Sequence, residues 1–266
     1  KMSKRTFVVP HDFTYTADNA LDYAIKLAKQ VDAKIELIHI VAKEDEILTT
    51  EKKLASIAGN FPHSDISCKS IHGSIFTDIG KFAEQNDAIA IIMGTHGSKG
   101  MQKVFGSFAM KVIISTSVPF MIVQDNSEIK NIENILFPIH TTLESLQIVS
   151  LAGNIAKMFD STIHIIGQKE SEIGKVKKIK ANLMGLAKRL EKMNVKCKLN
   201  LVDGETEYFD SISEYSKKIN ADLIAYSYDS DRFFASNDKF AQSIIFNKQN
   251  LPSIIINSKS AVITHY

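Results

Sequence analysis

Apolar positions along the chain alternate between two periods. Thr6 to Pro10 is a short β-branched and aromatic run of strand length, after which Ala20, Leu21, Ala24, Leu27, Ala28 and Val31 recur at helical spacing. Lys34 to Val41 is again an apolar run, a charged helical stretch follows from Glu44 to Ala58, and Ile66 to His72 alternates as a strand does. Ile75 to Glu84 suits a helix, Ala88 to Met93 a continuous apolar strand, Val104 to Ser115 a helix and Pro119 to Val123 a last strand. Strands alternating with helices predict right-handed crossovers and an open parallel sheet of the α/β class, covered by helices on both faces.

Asp125 to Lys130 is polar, and beyond it the pattern restarts. Asn134 to Pro138 answers Thr6 to Pro10, Ala152 and Ala156 answer Ala24 and Ala28, and Ser161 to Ile166 answers Ala33 to Ile38. Gly204 answers Gly73, Asp222 to Ala225 answers Ile89 to Ile92, and Pro252 to Ile256 answers Pro119 to Val123. This self-similarity predicts two tandem domains, residues 1–126 and 131–266, each an open parallel five-stranded sheet. A length of 266 residues agrees, since domains usually run to about 100 to 200.

Composition narrows the partners. Lys and Arg number 32 against 30 Asp and Glu, so a net charge of +2 offers nothing to a polyanion, and no nucleic-acid partner is expected. No apolar run reaches the length of about 18 residues that a membrane helix needs, and the N-terminal segment lacks the pattern of a signal peptide. The expectation is a cytoplasmic protein without a membrane partner. Cys68 and Cys197 lie in apolar-alternating stretches of different halves, which predicts reduced, buried thiols rather than a disulfide framework.

In an open parallel sheet, ligands bind beyond the carboxyl ends of the strands where the chain order reverses. Those ends carry Pro10, His11 and Asp12 after the first strand, His39, Ile40 and Val41 after the second, and Gly94 onward after the fourth. The stretch Gly94-Thr-His-Gly97-Ser-Lys-Gly100, with Gly106-Ser107 at a helix entrance, combines approachable backbone with unpaired N–H donors and about half a positive charge. Both features suit phosphate, although glycines after a strand also simply make turns. A carboxylate at Asp12 can accept from an adenine amino group or a ribose hydroxyl while the backbone at Ile40 pairs with the base edge; the other reading of Asp12 is a helix N-terminal acid. His39 and His96 read as hydrogen-bonded structural residues, and the Lys-rich stretch from Gly174 to Lys192 as a solvated helix face.

Val8-Val9-Pro10-His11-Asp12-Phe13, Leu37-Ile38-His39-Ile40, His72-Gly73 and Ile91-Ile92-Met93-Gly94-Thr95-His96-Gly97 with Gly106-Ser107 together resemble the universal stress protein family in its ATP-binding branch. The resemblance spans residues 5–124. It implies an adenine nucleotide alpha hydrolase-like, Rossmann-like fold that binds ATP, with or without Mg. It carries the nucleotide-binding role onto Pro10, His11, Asp12, Ile40, Met93, Gly94, Gly97, Gly106, Ser107 and Phe108. One spacing departs from the family pattern, because Ser98 to Phe105 is one residue shorter than usual. Universal stress domains pair through their last strand, which implies an internal pseudo-dimer of the two repeats and leaves room for further homodimerisation.

The second repeat reads as degenerate. Its counterpart of Asp12 is His140, and its counterpart of the glycine loop is Ser227-Tyr-Asp229-Ser-Asp231-Arg232, where side chains and negative charge replace glycine. No P-loop, dinucleotide fingerprint or nucleophile elbow occurs, and no motif assembles a catalytic group or a metal site. The expected function is stress-response nucleotide binding by the first repeat, with the second structural. A non-nucleotide interaction platform and a slow ATPase are the alternatives.

Overall fold

The computed structural model describes residues 4–95, 112–113, 115–139, 146–202, 207–228 and 235–257, the side chains of 146–148 and 235–238 excepted. The chain divides into two compact units, residues 1–130 and 131–266.

In the first unit β1 (Arg5–Pro10), β2 (Ala33–Val41), β3 (Ile66–His72), β4 (Ala88–Thr95) and β5 (Phe120–Gln124) pair in the order β3-β2-β1-β4-β5, parallel throughout. α1 (Tyr15–Val31), α2 (Ile47–Ala58) and α3 (Asp78–Gln85) form the crossovers among the first four strands. A short 3-10 turn, Glu44–Glu46, leads into α2. A strand covered on both faces must be apolar on both, and Phe7, Val8 and Val9 of β1 are all fully buried. α1 begins at Thr14, whose side chain accepts the Ala17 N–H, and ends at Asp32 in a left-handed conformation (φ 52°) whose N–H returns to the Ala28 carbonyl.

The second unit repeats the plan. β6 (Asn134–Pro138), β7 (Thr162–Gln168), β8 (Cys197–Val202), β9 (Leu223–Tyr228) and β10 (Ser253–Asn257) pair in the order β10-β9-β6-β7-β8, again parallel. Its helices are α4 (Leu146–Phe159), α5 (Ile173–Lys192), α6 (Tyr208–Lys218) and α7 (Ala235–Ile245). The duplication extends to backbone detail. Asp160 (φ 53°) ends α4 in the left-handed region as Asp32 ends α1, and Asn220 (φ 50°) answers Asp87 (φ 48°). α5 buries Ile179, Leu183, Leu186 and Leu190 at helical spacing and leaves its lysines in solvent.

Two expectations change and a third is left open. α3 starts at Asp78 rather than Ile75, because the Asp78 carboxylate accepts the Ser74 N–H (2.7 Å) and Ser74 Oγ accepts that of Phe76 (3.2 Å), which holds the intervening residues in a turn. The thiols are free but only half-buried, since Cys68 and Cys197 lie on β3 and β8, at the end of each unit's strand order. Burial still pushes Cys197 up to about 11. The helix expected over Val104 to Ser115 lies outside the described residues except for Val112, Ile113 and Ser115.

Candidate functional site

The strand order reverses between β1 and β4, so the crevice of the first unit lies beyond the carboxyl ends of these two strands. Of the candidate residues, Pro10, His11 and Asp12 stand at one lip, Met93 and Gly94 at the other, and Ile40 on the neighbouring strand. Gly97, Gly106, Ser107 and Phe108 lie outside the described residues, as does His96.

The first lip is a succession of side-chain turns. His11 is buried, and its N–H completes the ladder to the Ile38 carbonyl (2.8 Å). Its Nδ1 accepts the Phe13 N–H at 3.1 Å, so the ring proton resides on Nε2, which donates to Asp18 Oδ1 at 3.0 Å. One residue on, Asp12 Oδ1 accepts both the Thr14 N–H (3.1 Å) and the Thr14 hydroxyl (2.5 Å). These are two overlapping turns in which a side chain binds the amide two residues ahead. Between them Phe13 takes a left-handed conformation (φ 64°), a state that costs a residue with a Cβ about 1–2 kcal/mol. Asp12 therefore does serve the start of α1, through one oxygen. Its other oxygen, Oδ2, makes no hydrogen bond among the described residues, and the side chain is exposed.

Ile40 is prepared in a different way. The β1 ladder ends at His11, and a parallel strand turns every second residue to the same neighbour, so Ile40, like Ile38, directs its N–H and C=O toward the side where β1 has stopped. The next rung would bring the His11 carbonyl to the Ile40 N–H. That carbonyl instead accepts the Nδ1–H of His39 at 2.6 Å, which makes His39 the hydrogen-bonded residue its position suggested. The Phe13 ring packs on the rings of His39 (4.8 Å between centroids) and His11 (5.5 Å), with Lys53 Nζ 5.7 Å from its centre.

Gly94 has a packing reason besides its candidate role. A Cβ there would strike the carbonyl oxygen of Thr16 and lie 2.7 Å from its carbonyl carbon, so the missing side chain admits the first turn of α1 against β4. Thr16 in turn donates to Asp125 Oδ1 (3.1 Å), just past β5. These contacts fix the α1 N-terminus, with its positive dipole end, beside the crevice. A separate cleft of about 420 Å³ opens beside Phe13 toward α1 and the end of α2, between Asp18, Asp22 and Phe61. Burial and the neighbouring Asp18 push the Asp22 carboxyl up, and two carboxylates have the wrong sign for phosphate.

In the second unit the corresponding crevice lies between β6 and β9. Tyr226 and Ser227 stand where the first unit has Met93 and Gly94. Tyr208, at the start of α6, places its hydroxyl 2.7 Å from the Ile139 carbonyl and 2.9 Å from that of Ile166, and its ring stacks on Phe240, which also meets Tyr226. Sequence reading missed Tyr208; the only available signal was an aromatic residue at the head of a helix. His140, Asp229, Asp231 and Arg232 lie outside the described residues, as does Gly204.

Comparison with known proteins bears on the same elements. Residues 42–124, from the end of β2 through β5, match the model of the universal stress protein family. A universal stress protein of Methanocaldococcus jannaschii is 28% identical over 143 residues, 45% of this chain and 82% of the relative. The crystal structure of a universal stress protein from Archaeoglobus fulgidus superposes over 95% of this chain and 98% of its own, with a TM-score of 0.70 at 17% identity. A functionally unknown protein of Pseudomonas aeruginosa covers 98% of this chain and 95% of its own, with a TM-score of 0.61 at 13% identity. At these identities the structural likeness is one of fold. The family match contains Met93 and Gly94 and begins after Ile40, so the lip bearing Asp12 stands on the geometry above. Among the described residues no helix is long and apolar enough to cross a membrane, and no group of three or more His, Cys, Asp or Glu side chains is placed to hold a metal.

Proposed function

We propose that the first unit is the nucleotide-binding module of a cytoplasmic stress-response protein, taking ATP, with or without Mg, or a related adenine nucleotide at the carboxyl ends of β1 and β4. The observation that carries this reading is the Asp12 carboxylate at the switch point, with one oxygen spent on the Thr14 turn and the other free for a ligand donor. The Ile40 backbone, released from the β1 ladder, is placed to pair with the edge of the base. The α1 N-terminus and the glycine stretch beginning at Gly94 supply the amides and positive field that phosphates need. Gly97, Gly106, Ser107 and Phe108 belong to this proposal through the resemblance alone. Nothing in this arrangement requires a catalytic base, so binding is placed above hydrolysis. An internal pseudo-dimer of the two repeats is part of the same reading, and fast independent tumbling of the two halves in solution would contradict it.

Titration calorimetry with ATP tests the site. Asp12→Ala should weaken binding by about 1.5 to 3 kcal/mol, the size of a hydrogen bond to a charged group. Asp12→Asn separates the two duties of this residue. Its carbonyl oxygen can still accept the Thr14 N–H, but its NH2 faces the ligand donor. A comparable loss in Asp12→Asn with an unchanged melting curve assigns the effect to the ligand. Unchanged affinity in both variants reduces Asp12 to a helix-capping acid.

A further inference from the structure

Every polar group of His11 is engaged, and each engagement reaches a different part of the site. The backbone N–H ties it to Ile38 of β2, the carbonyl accepts from His39, Nδ1 takes the Phe13 amide, and Nε2–H reaches Asp18 in the first turn of α1. The imidazole is wholly buried while Asp18 is half exposed, so solvent has no access to the ring itself. Two consequences follow from the geometry. The Phe13 amide, bonded to Nδ1, fixes the left-handed turn from which Asp12 presents its free oxygen. The His11 carbonyl, drawn to His39, leaves the Ile40 amide unclaimed by the ladder. A residue with an apolar side chain at position 11 would still extend β1, but it would offer no acceptor to Phe13 and no link to α1.

We infer that His11 is a positioning residue for the nucleotide site, an imidazole lock that presents Asp12 through the Phe13 amide and is itself oriented by Asp18. This inference rests on the reading of the site as nucleotide-binding and adds to it the residue that sets its shape. His11 does not touch the ligand in this account; its imidazole acts through Asp12. The acceptor at Nδ1 and the donor at Nε2 are separable, because an Asn side chain places a carbonyl oxygen near the Nδ1 position and a Gln side chain places its amide near Nε2.

The test uses the full chain and ATP, with affinity from calorimetry, stability from thermal melts and amide exchange by NMR. His11→Asn, which can accept from the Phe13 amide in the same two-residue turn, should bind ATP within about threefold of the native chain. His11→Gln, which can reach Asp18 but not Phe13, should lose about tenfold, the equivalent of one hydrogen bond. Asp18→Ala, at an exposed position that does not endanger folding, should give a smaller loss in the same direction. Rescue by Asn but not by Gln, at equal melting temperatures, is the result expected of a positioning role. A purely structural role would make affinity follow stability, with no advantage to Asn, and that outcome overturns the inference. Should His11→Gln melt too low for binding to be read, Asp18→Ala and His11→Asn decide the question through the Phe13 amide. It should exchange slowly in the native chain and His11→Asn, and faster in Asp18→Ala; equal exchange in all three overturns the lock. Absence of ATP binding by the native chain would defeat the nucleotide reading, and the exchange rates would still report the lock separately.

Discussion

The two units build the same sheet and treat its carboxyl end in opposite ways. In the first, the crevice between β1 and β4 is bordered by an exposed carboxylate and by Gly94. In the second, Tyr208 reaches the carbonyl that follows β6, and its ring packs on Phe240, which also meets Tyr226 of β9. The carbonyl that ends the first strand shows the difference at one atom. In the first unit it is capped by His39, from the adjacent strand; in the second the matching carbonyl of Ile139 is capped by Tyr208, from a helix. The residue matching His39 is Gly167, whose absent side chain cannot supply that donor. A duplicated fold thus keeps its hydrogen-bond requirements while changing which element meets them. One solution takes an imidazole from the adjacent strand, and the other a phenol from a helix.

The sharpest way to break this contrast is to count ligands. Calorimetric titration of the whole chain should find about one ATP site, and Asp12→Asn should weaken all of the saturable binding, tenfold or more, rather than half of it. A second site of native affinity surviving in that variant would show that the aromatic residues of the second unit do not close it.

Next in size is the pair Gly94→Ala and Ser227→Ala. A methyl at Gly94 meets the Thr16 backbone, and overpacking of that kind usually costs about 1–3 kcal/mol. Ser227 already carries a Cβ at the matching position, so its truncation should cost less. Denaturant midpoints compare them, and equal effects would mean that the close approach of α1 to β4 is not what Gly94 is for.

Tyr208→Phe keeps the aromatic stack and removes only the hydroxyl, which should destabilise the second unit by about 0.5–1.5 kcal/mol without creating ATP binding. Gain of a site in this variant would show that the hydroxyl alone closes the crevice.

The smallest effect is one of pH. His164, in β7, is held below its ordinary value of 6.5 chiefly by burial, with Lys198 adding repulsion; the first unit has Glu36 at the matching position. Because the folded-state pKa is depressed, the unfolded chain takes up the proton first. The stability associated with a neutral His164 is therefore complete above about pH 6.5 and falls as the pH drops through the lower folded value. Melts of the native chain and His164→Gln between pH 7.5 and about 5 should diverge in that direction, and parallel curves would remove His164 from the pH dependence.

Sequence alone determined the architecture, because burial on both faces of a parallel sheet writes itself as continuous apolar runs, and helices between them write themselves at a different period. Even the turn residues repeat, Asp32 with Asp160 and Asp87 with Asn220, since a left-handed chain reversal selects short polar side chains wherever it recurs. Sequence also put Asp12, Ile40 and Gly94 at the ends of strands, because fold topology decides which strand ends face a crevice. What it could not assign was the state of each residue there. That Asp12 spends one oxygen on Thr14, that the His11 imidazole bonds the Phe13 amide and Asp18, and that Gly94 answers to Thr16 all depend on groups brought together by the fold of the chain. Tyr208 is the clearest case. It lies 69 residues from the carbonyl of Ile139 and 42 from that of Ile166. No local pattern encodes such a contact, because it forms only once two strands and a helix have been packed side by side.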